Sequence, residues 1–322
     1  MSLNPRANEV DFSIIVVTYN SEDFIRECLE SVYNAMKNTK FSFEVIVVDN
    51  NSQDATVKIL GDFPEVKLVK NKENLGFSRA NNLAFENSKG KILFLLNPDT
   101  RIISSKIFEE VYKIFSTYPK VGVMGIKLVG KKGEATLSGF SFEPLWSAVL
   151  SLLSMQFIDF RIIKDNHLLK RINNLTHPVE VDWVSGGAMF IPREVYDKVS
   201  GFDNKFFLYS EDVDLCKRIK DNGFKVLFLP HICVFHYSSR SSKKFERRIE
   251  FRNYSLFLYA AKHYKKWQYL LYKFSLILNL MEKLLFVTIF GRFVYTTYEL
   301  SNRKANYKKV LKILINRGKE SK

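Results

Sequence analysis

Along the first 125 residues, short apolar runs alternate with stretches of helical spacing. Ser13-Ile-Ile-Val-Val-Thr18 is β-branched, too short for a helix and apolar at successive positions. That pattern predicts a strand buried on both faces. From Glu22 to Lys37, Phe24, Ile25, Leu29, Val32 and Met36 fall on one helical face. Phe43 to Val48 predicts a second strand, ending in Asp49-Asn50-Asn51-Ser52, and Val66 to Val69 a third. A helix over 78–87 precedes a strand over 91–96, and a helix over 107–118 leads to a strand over 121–124. The alternating order predicts an α/β protein with a mostly parallel central sheet and helices on both faces.

Residues 140–180 break this rhythm: Leu145 to Ile158 is mostly apolar but too short to span a bilayer, and a basic segment follows. The α/β pattern returns with Trp183-Val-Ser-Gly186-Gly187, a strand over 188–191 and a helix that Pro192 opens. Ser210 is placed to cap a helix that Gly223 closes, and two strands follow over 225–229 and 232–236. After Ser238 the spacing is helical only. Tyr269 to Phe290 is long enough to cross a bilayer, but Lys273, Glu282 and Lys283 interrupt it. Each charge near the middle of a spanning helix costs about 2.5–3.5 kcal/mol. The apolar residues Phe274, Ile277, Leu278, Met281, Leu284, Leu285 and Ile289 instead predict an amphipathic stripe. Tyr307, Val310, Leu311, Leu314 and Ile315 repeat it opposite Lys304, Lys308, Lys309 and Lys312. The expected division is a body over 1–239, carrying an insert at 140–180, and a helical region over 240–322.

Composition sharpens that division. A chain of 322 residues, 46% hydrophobic with 14 Gly and 8 Pro, excludes a disordered or fibrous protein. From Arg240 to the end there are 20 Lys and Arg against 5 Asp and Glu, whereas residues 1–239 carry 29 of each. The whole net charge of +15 therefore sits in the last quarter, as expected of a neutral body with a basic appendage for an anionic partner. Packing on the body or across a homodimer is the alternative use of those helices. Three cysteines without short spacing form neither a disulfide framework nor a CxxC zinc site, which points to a reducing compartment. The N-terminal residues carry no apolar signal core, so a cytoplasmic protein is expected.

Ligands of an open parallel sheet bind at the carboxyl ends of its strands. Here those ends carry Thr18-Tyr19-Asn20, Asp49-Asn50-Asn51-Ser52 and Asn97-Pro98-Asp99-Thr100. No GxGxxG follows the first strand and no GxxxxGK[ST] occurs, which counts against dinucleotide and P-loop sites. At the end of its strand, Asp49 can accept the imide N–H of a uracil or thymine ring, or simply build a turn. Asp99 offers a hard carboxylate oxygen for a divalent cation, or caps a helix. Glu211, Asp212 and Asp214 crowd one helix start; the helix dipole accounts for one acid there, not for three. Gly186 and Gly187 allow backbone to approach a ligand closely.

The series VVTYN, VDNNS, ENLGF, LNPDT, WVSGGAM and GFDNKFFLYSEDVDLC, in this order over residues 12–241, resembles the family 2 glycosyltransferases of GT-A fold. Within them it is most similar to the rhamnosyltransferase-like branch. The resemblance implies an inverting hexosyltransferase of polysaccharide biosynthesis that moves one sugar from a nucleotide diphosphate. It assigns Asp212 as the general base, with Glu211 as its acceptor-orienting partner. Thr18, Tyr19, Asn20, Asp49, Asn51, Arg79, Asn97, Asp99, Gly186 and Gly187 would bind the donor, a dTDP- or UDP-sugar, with dTDP-rhamnose favoured. Trp183, Tyr209 and Glu211 would meet the acceptor, a glycan or lipid-linked glycan, with the 140–180 insert on that side. Mg²⁺ or Mn²⁺ would be held by Asp99, the last residue of a DxD-type motif, and by His236. Asn97 stands where that motif has its first carboxylate, and Ser239 where the family commonly has glycine. The basic helices would then rest on the inner face of an anionic cell membrane. Two other classes compete: a nucleic-acid-binding protein using those helices, and a sugar-nucleotide-binding protein without catalysis. Zero net charge over 239 residues and no RNA-binding signature oppose the first, so no nucleic acid is expected. Retention of Asp99 and the Glu211-Asp212 pair opposes the second.

Overall fold

The computed structural model describes residues 10–37, 39–104, 106–131, 133, 135–136, 139–142, 145, 175–237, 248–294 and 297–316. Most of the expected insert at 140–180 therefore lies outside the described residues. Those described form two compact units. One holds the residues up to 142, then 175–207 and 211–237; the other holds 145, 208–210 and 248–316.

In the first unit β1 (Val10–Thr18), β2 (Phe43–Asp49), β3 (Val66–Lys70) and β4 (Gly90–Leu96) are parallel, in spatial order β3-β2-β1-β4. Their crossovers are α1 (Ile25–Met36), α2 (Thr56–Leu60) and α3 (Gly76–Glu86). Alternate residues of β1 serve opposite layers: Phe12, Ile14 and Val16 enter one core, Ile15 the other. In β2, Val45 and Val47 divide from Ile46 and Val48 in the same way. Both faces are covered, which is why these strands read as unbroken apolar runs. Helix α1 packs Ile25, Leu29, Val32 and Met36 on the first of these cores.

Beyond β4 the sheet becomes mixed. The elements in chain order are β5 (Thr100–Ile102), α4 (Ile107–Thr117), β6 (Val121–Val129), β7 (Ala135–Thr136), β8 (Gly139–Phe140), β9 (Val179–Val181), β10 (Trp183–Val184), β11 (Ala188–Pro192), α5 (Arg193–Lys198), α6 (Glu211–Asp221) and β12 (Lys225–His236). Strand β11 runs antiparallel to both β4 and β6, and β12 runs parallel to β6 but antiparallel to β5 and β9. The two strands expected over 225–236 are one, β12. Leu229 pairs with Ile126 and Cys233 with Lys127, so the residues around Pro230 bulge and pairing resumes. Proline lacks the N–H for a ladder bond, and a bulge accommodates it. Gly223, with φ of +82°, ends α6 as expected, and its N–H donates to the Lys220 carbonyl. In the core, Phe94 and Phe190 stack with centroids 3.8 Å apart, and Phe12 and Phe108 meet Phe190 edge-on.

The second unit packs α7 (Arg248–His263), α8 (Lys266–Ile289), α9 (Gly291–Val294) and α10 (Thr297–Asn316). Its core joins Phe257, Leu276, Leu280, Val287, Val310 and Leu314. Lys309 pairs with the buried Glu250 at 2.8 Å. The stripe expected on α8 divides: Ile277 and Leu284 pack on this core, whereas Phe274, Met281, Leu285 and Ile289 are exposed. Trp267, Leu270 and Leu271 extend the exposed apolar face. Among the described residues no helix is long and apolar enough to cross a membrane.

Phe190→Ala should destabilise the first unit by about 3–5 kcal/mol, because it deletes the centre of an aromatic cluster. Leu285→Ser on the exposed face should change stability by less than about 0.5 kcal/mol. Chemical denaturation of both variants against wild type measures the contrast.

Candidate active site

Strands β1, β2 and β4 end at one edge, where the strand order reverses between β1 and β4. Asp49, 2% exposed, faces Thr18 across the β1–β2 register. Its Oδ1 accepts from Thr18 Oγ1 at 2.9 Å and from Ser52 Oγ at 2.6 Å, and its Oδ2 accepts from the Ser52 N–H at 2.9 Å. The turn reading of Asp49 is thus realised in the fold, and these bonds hold the carboxylate at the strand end. Asn20 and Asn51 adopt φ of +51° and +64°, a region asparagine tolerates better than most residues. Asn20 accepts from the Gln53 N–H at 2.8 Å, which ties the ends of β1 and β2 together. Tyr19 and Arg79 are exposed, the latter on α3.

Asn50, one of the strand-end residues but assigned no role from the sequence, is the hub of this edge. Its side chain donates to the Gly76 carbonyl and accepts from Asn71, at 3.1 and 2.9 Å. Sequence offers no sign of this, because the partners lie 26 and 21 residues away. Gly76 has φ of +79°, and a side chain there would collide with the Phe207 carbonyl, which accepts the Phe77 N–H at 2.7 Å.

After β4, Asp99 is 5% exposed and its Oδ1 lies 3.2 Å from His236 Nε2. The β5–β12 register, which pairs Thr100 with His236, brings them together across 137 residues of sequence. The other ring nitrogen of His236, Nδ1, is buried without a hydrogen-bond partner. A hard carboxylate oxygen beside an imidazole nitrogen suits a divalent cation sharing both. Among the described residues no group of three His, Cys, Asp or Glu converges on one point, so such an ion would draw its remaining ligands from a bound molecule or water.

The glycine pair joins this corner to the carboxylates of α6. The Gly187 carbonyl accepts the Asn97 N–H at 3.0 Å, and the Gly186 N–H donates to Asp212 Oδ2 at 3.1 Å. Asp212 Oδ1 accepts the Val213 N–H at 2.8 Å. Any Cβ at residue 186 would crowd Phe77, and one at 187 would crowd Leu128. Burial pushes the Asp212 carboxyl up, opposed by the Gly186 and Val213 N–H groups. Glu211, 6% exposed, is pushed well above the usual carboxylate range by burial and then by the Asp212 charge. One of its oxygens, Oε2, is buried without a hydrogen-bond partner. The third acid of the cluster serves the fold, since Asp214 is fully buried and accepts from Arg218 Nε at 2.8 Å. Trp183 lies in β10, paired with Phe140 and partly packed on the core, and Tyr209 belongs to the second unit. Ser210 does not take the extended backbone of a usual N-cap; Tyr209 and Ser210 are both left-handed, with φ of +72° and +61°. Such residues cost on the order of 1–3 kcal/mol each and persist only where the surroundings hold them.

Residues 13–198, more than half of the chain, match the family model for glycosyl transferase family 2, and residues 166–246 match that for the N-terminal domain of galactosyltransferase. The O-antigen biosynthesis protein RfbC of Myxococcus xanthus is 26% identical over 242 residues, which is 72% of this chain but only 18% of RfbC. The rhamnosyltransferase WbbL of Escherichia coli is 28% identical, over 77% of this chain and 92% of WbbL. An N-acetylglucosaminyl-diphospho-decaprenol L-rhamnosyltransferase of Mycobacterium tuberculosis is 24% identical, over 71% of this chain and 76% of its own. In fold, the chain is similar to a mannosyltransferase of Pyrobaculum calidifontis solved with GDP-Man and Mn²⁺, with TM-score 0.55 and 17% identity over 96% of this chain and 90% of that one. The fold is GT-A, as the motif series implied.

The Glu211–Asp212 pair makes a signed prediction about pH. A carboxyl raised in the folded state contributes most below its unfolded value, and that contribution is lost as pH rises through the folded value. Glu211→Gln removes the buried charge, so the variant should gain on wild type in melting temperature from acid towards neutral and alkaline pH. Melting curves of both proteins between pH 4 and 9 measure the gap, and a gap independent of pH would contradict the raised value.

Proposed function

The chain belongs to glycosyl transferase family 2, and from that premise we propose that it is an inverting, metal-assisted glycosyltransferase of polysaccharide biosynthesis. The observation that carries this reading is the Gly186–Gly187 step, which joins Asn97 on one side to Asp212 on the other. It sets the corner that would hold a nucleotide diphosphate beside the carboxylate that would activate an acceptor. The favoured donor is dTDP-rhamnose, supported by relatives named as rhamnosyltransferases. The acceptor is a glycan or a lipid-linked glycan, supported by the relative named for an N-acetylglucosaminyl-diphospho-decaprenol.

The donor's base lies at the ends of β1 and β2. There Asp49, already held by Thr18 and Ser52, keeps acceptor capacity for an imide N–H, with Tyr19, Asn20, Asn51 and Arg79 around it. Asp99 and His236 would hold Mg²⁺ or Mn²⁺, which when bound neutralises charge on the diphosphate. Asp212, its two oxygens oriented by the Gly186 and Val213 N–H groups, takes the proton of the attacking acceptor hydroxyl. The hydroxyl oxygen bonds to the anomeric carbon as the bond to the diphosphate oxygen breaks and its electron pair leaves with the diphosphate. One in-line displacement inverts that carbon. Glu211, raised by burial, retains its proton more readily and spares Asp212 a second charge at its side. Trp183 and Glu211 would meet the acceptor.

The C-terminal unit supports a peripheral site on an anionic, inner membrane face. The chain's whole net positive charge lies in residues 240–322, and α8 presents Trp267, Phe274, Met281, Leu285 and Ile289 outward. Phe293, 87% exposed, lies on α9 just beyond it.

Asp212→Asn should lower transfer by about 10²–10⁴-fold while leaving donor affinity near wild type, since the base acts on the acceptor. Asp99→Ala should weaken Mn²⁺-dependent donor binding instead. Titration of dTDP-rhamnose with and without Mn²⁺, beside a transfer assay, separates the two roles; donor affinity insensitive to Asp99→Ala would remove it from the metal site. Full-length protein should co-sediment with anionic vesicles, less at high salt, and the Phe274→Ser/Leu285→Ser variant should co-sediment less at every salt concentration. Equal sedimentation of both, with a dimer that the double variant abolishes, would assign that face to a second copy.

A further inference from the structure

In the first unit, helix α1 and the corner that carries Asp99 and His236 meet through one carboxylate. Glu27, in the first turn of α1, accepts a hydrogen bond from the Tyr237 hydroxyl on Oε2, and its Oε1 lies 3.0 Å from Arg101 Nε. The Arg101 guanidinium stands 5.2 Å from the centroid of the Phe235 ring. Phe235 in turn meets the Tyr237 ring edge-on, with centroids 4.8 Å apart. Glu27, Arg101, Phe235 and Tyr237 thus form a closed circuit, and all four belong to the first unit. Phe24, buried at the head of α1, packs on the Tyr237 ring at 5.0 Å.

The circuit brackets the Asp99–His236 pair. In the β5–β12 register Arg101 faces Phe235 and Thr100 faces His236; one step further, the Tyr237 N–H donates to the Asp99 carbonyl at 2.9 Å. Strand β5 needs such support. It is three residues long, stands at the end of the sheet, and among the described residues pairs with β12 alone. A short edge strand is held by few ladder bonds and opens at little cost. An acid in a first helical turn suits the helix dipole whatever else it does, but the dipole does not ask it to reach a tyrosine 210 residues away. Nor is stability the evident gain, since ion pairs as exposed as Glu27 and Arg101 contribute little by themselves.

We propose that Glu27 is a positioning residue for the metal site: from α1 it fixes the neighbours of Asp99 and His236, and with them the separation of the two ligand atoms. This rests on the reading of Asp99 and His236 as metal ligands. Asp99 Oδ1 and His236 Nε2 stand 3.2 Å apart. Mg²⁺ demands near-octahedral ligands at about 2.0–2.1 Å, which places neighbouring ligands roughly 3 Å from each other. A pair already set near that separation gives up little freedom when the ion arrives. Without the Glu27 carboxylate, Tyr237 loses the anchor of its hydroxyl and Arg101 its counter-charge. The end of β5 is then free to part from β12, and Asp99 from His236.

The test compares full-length wild type, Glu27→Ala, Glu27→Gln, Tyr237→Phe and Asp99→Ala. Mn²⁺ is titrated in the presence of saturating dTDP and its free fraction read from the electron paramagnetic resonance signal, while dTDP binding is measured separately in EDTA. Glu27→Ala should raise the Mn²⁺ Kd about tenfold, the lower end of what outer partners of metal ligands cost, with metal-free dTDP affinity and melting temperature near wild type. Tyr237→Phe, which removes only the hydroxyl, should move the Mn²⁺ Kd in the same direction. Glu27→Gln keeps an acceptor for that hydroxyl and should return the Kd towards wild type. Unchanged Mn²⁺ affinity in both Glu27→Ala and Tyr237→Phe would overturn the inference. So would a loss shared equally by metal-free dTDP binding and melting temperature, which a merely structural glutamate gives. A wild type that binds no Mn²⁺ with dTDP, or Mn²⁺ affinity that survives Asp99→Ala, would overturn the metal site itself, a result distinct from either outcome at Glu27.

Discussion

Strand β1 lies between β2 and β4 with Phe12, Ile14 and Val16 buried on one face and Ile15 on the other, and its buried mid-strand polar residue, Ser13, is taken up by Glu44 and the Gly90 N–H. The polar residues of the first unit are therefore driven to the strand ends. There the chain leaves the sheet, and side chains can reach both backbone donors and an incoming molecule. Thr18, Asp49 and Asn97 are the first polar residues past their apolar runs, and the edge is organised by bonds among them and their neighbours. An Asp49 carboxyl held by three donors is a consequence of that placement: a buried polar group is tolerated where several hydrogen bonds satisfy it.

The acids of this unit divide into roles that their surroundings assign. Asp214, buried and paired with Arg218, locks α6 to itself. Glu211 is buried without an ionic partner and is pushed towards its neutral form. Asp212 is oriented by two backbone N–H groups, those of Gly186 and Val213. Asp99 faces His236, an arrangement suited to a shared cation. Four carboxylates of the same intrinsic chemistry thus differ in direction and partner.

The helical unit solves a different problem. Helix α8 carries apolar residues around much of its circumference, and its own core accepts only Tyr272, Leu276, Leu280, Val287 and their neighbours. The opposite face remains apolar and exposed in a part of the chain that holds the whole net charge, the combination that favours an anionic, partly apolar surface.

By itself the sequence determined the α/β class, the longer strands and helices of the first unit, and the strand-end residues as the place for chemistry; the short elements α2, β5 and β7–β10 were not legible in it. Those follow from local pattern: unbroken apolar runs of strand length, helical spacing between them, and polar residues where each run stops. The motif series also determined the family. Only the tertiary structure decided which of those residues act together. The pairing of Asp99 with His236 depends on the β5–β12 register, and that of Gly186 with Asp212 on where α6 begins. The antiparallel insertion of β11 and the single bulged β12 were equally silent, because a strand's pattern reports its burial and not its direction or partner. The partners of Asn50 were hidden for the same physical reason: a hydrogen bond between residues 26 or 21 positions apart leaves no periodicity in the chain.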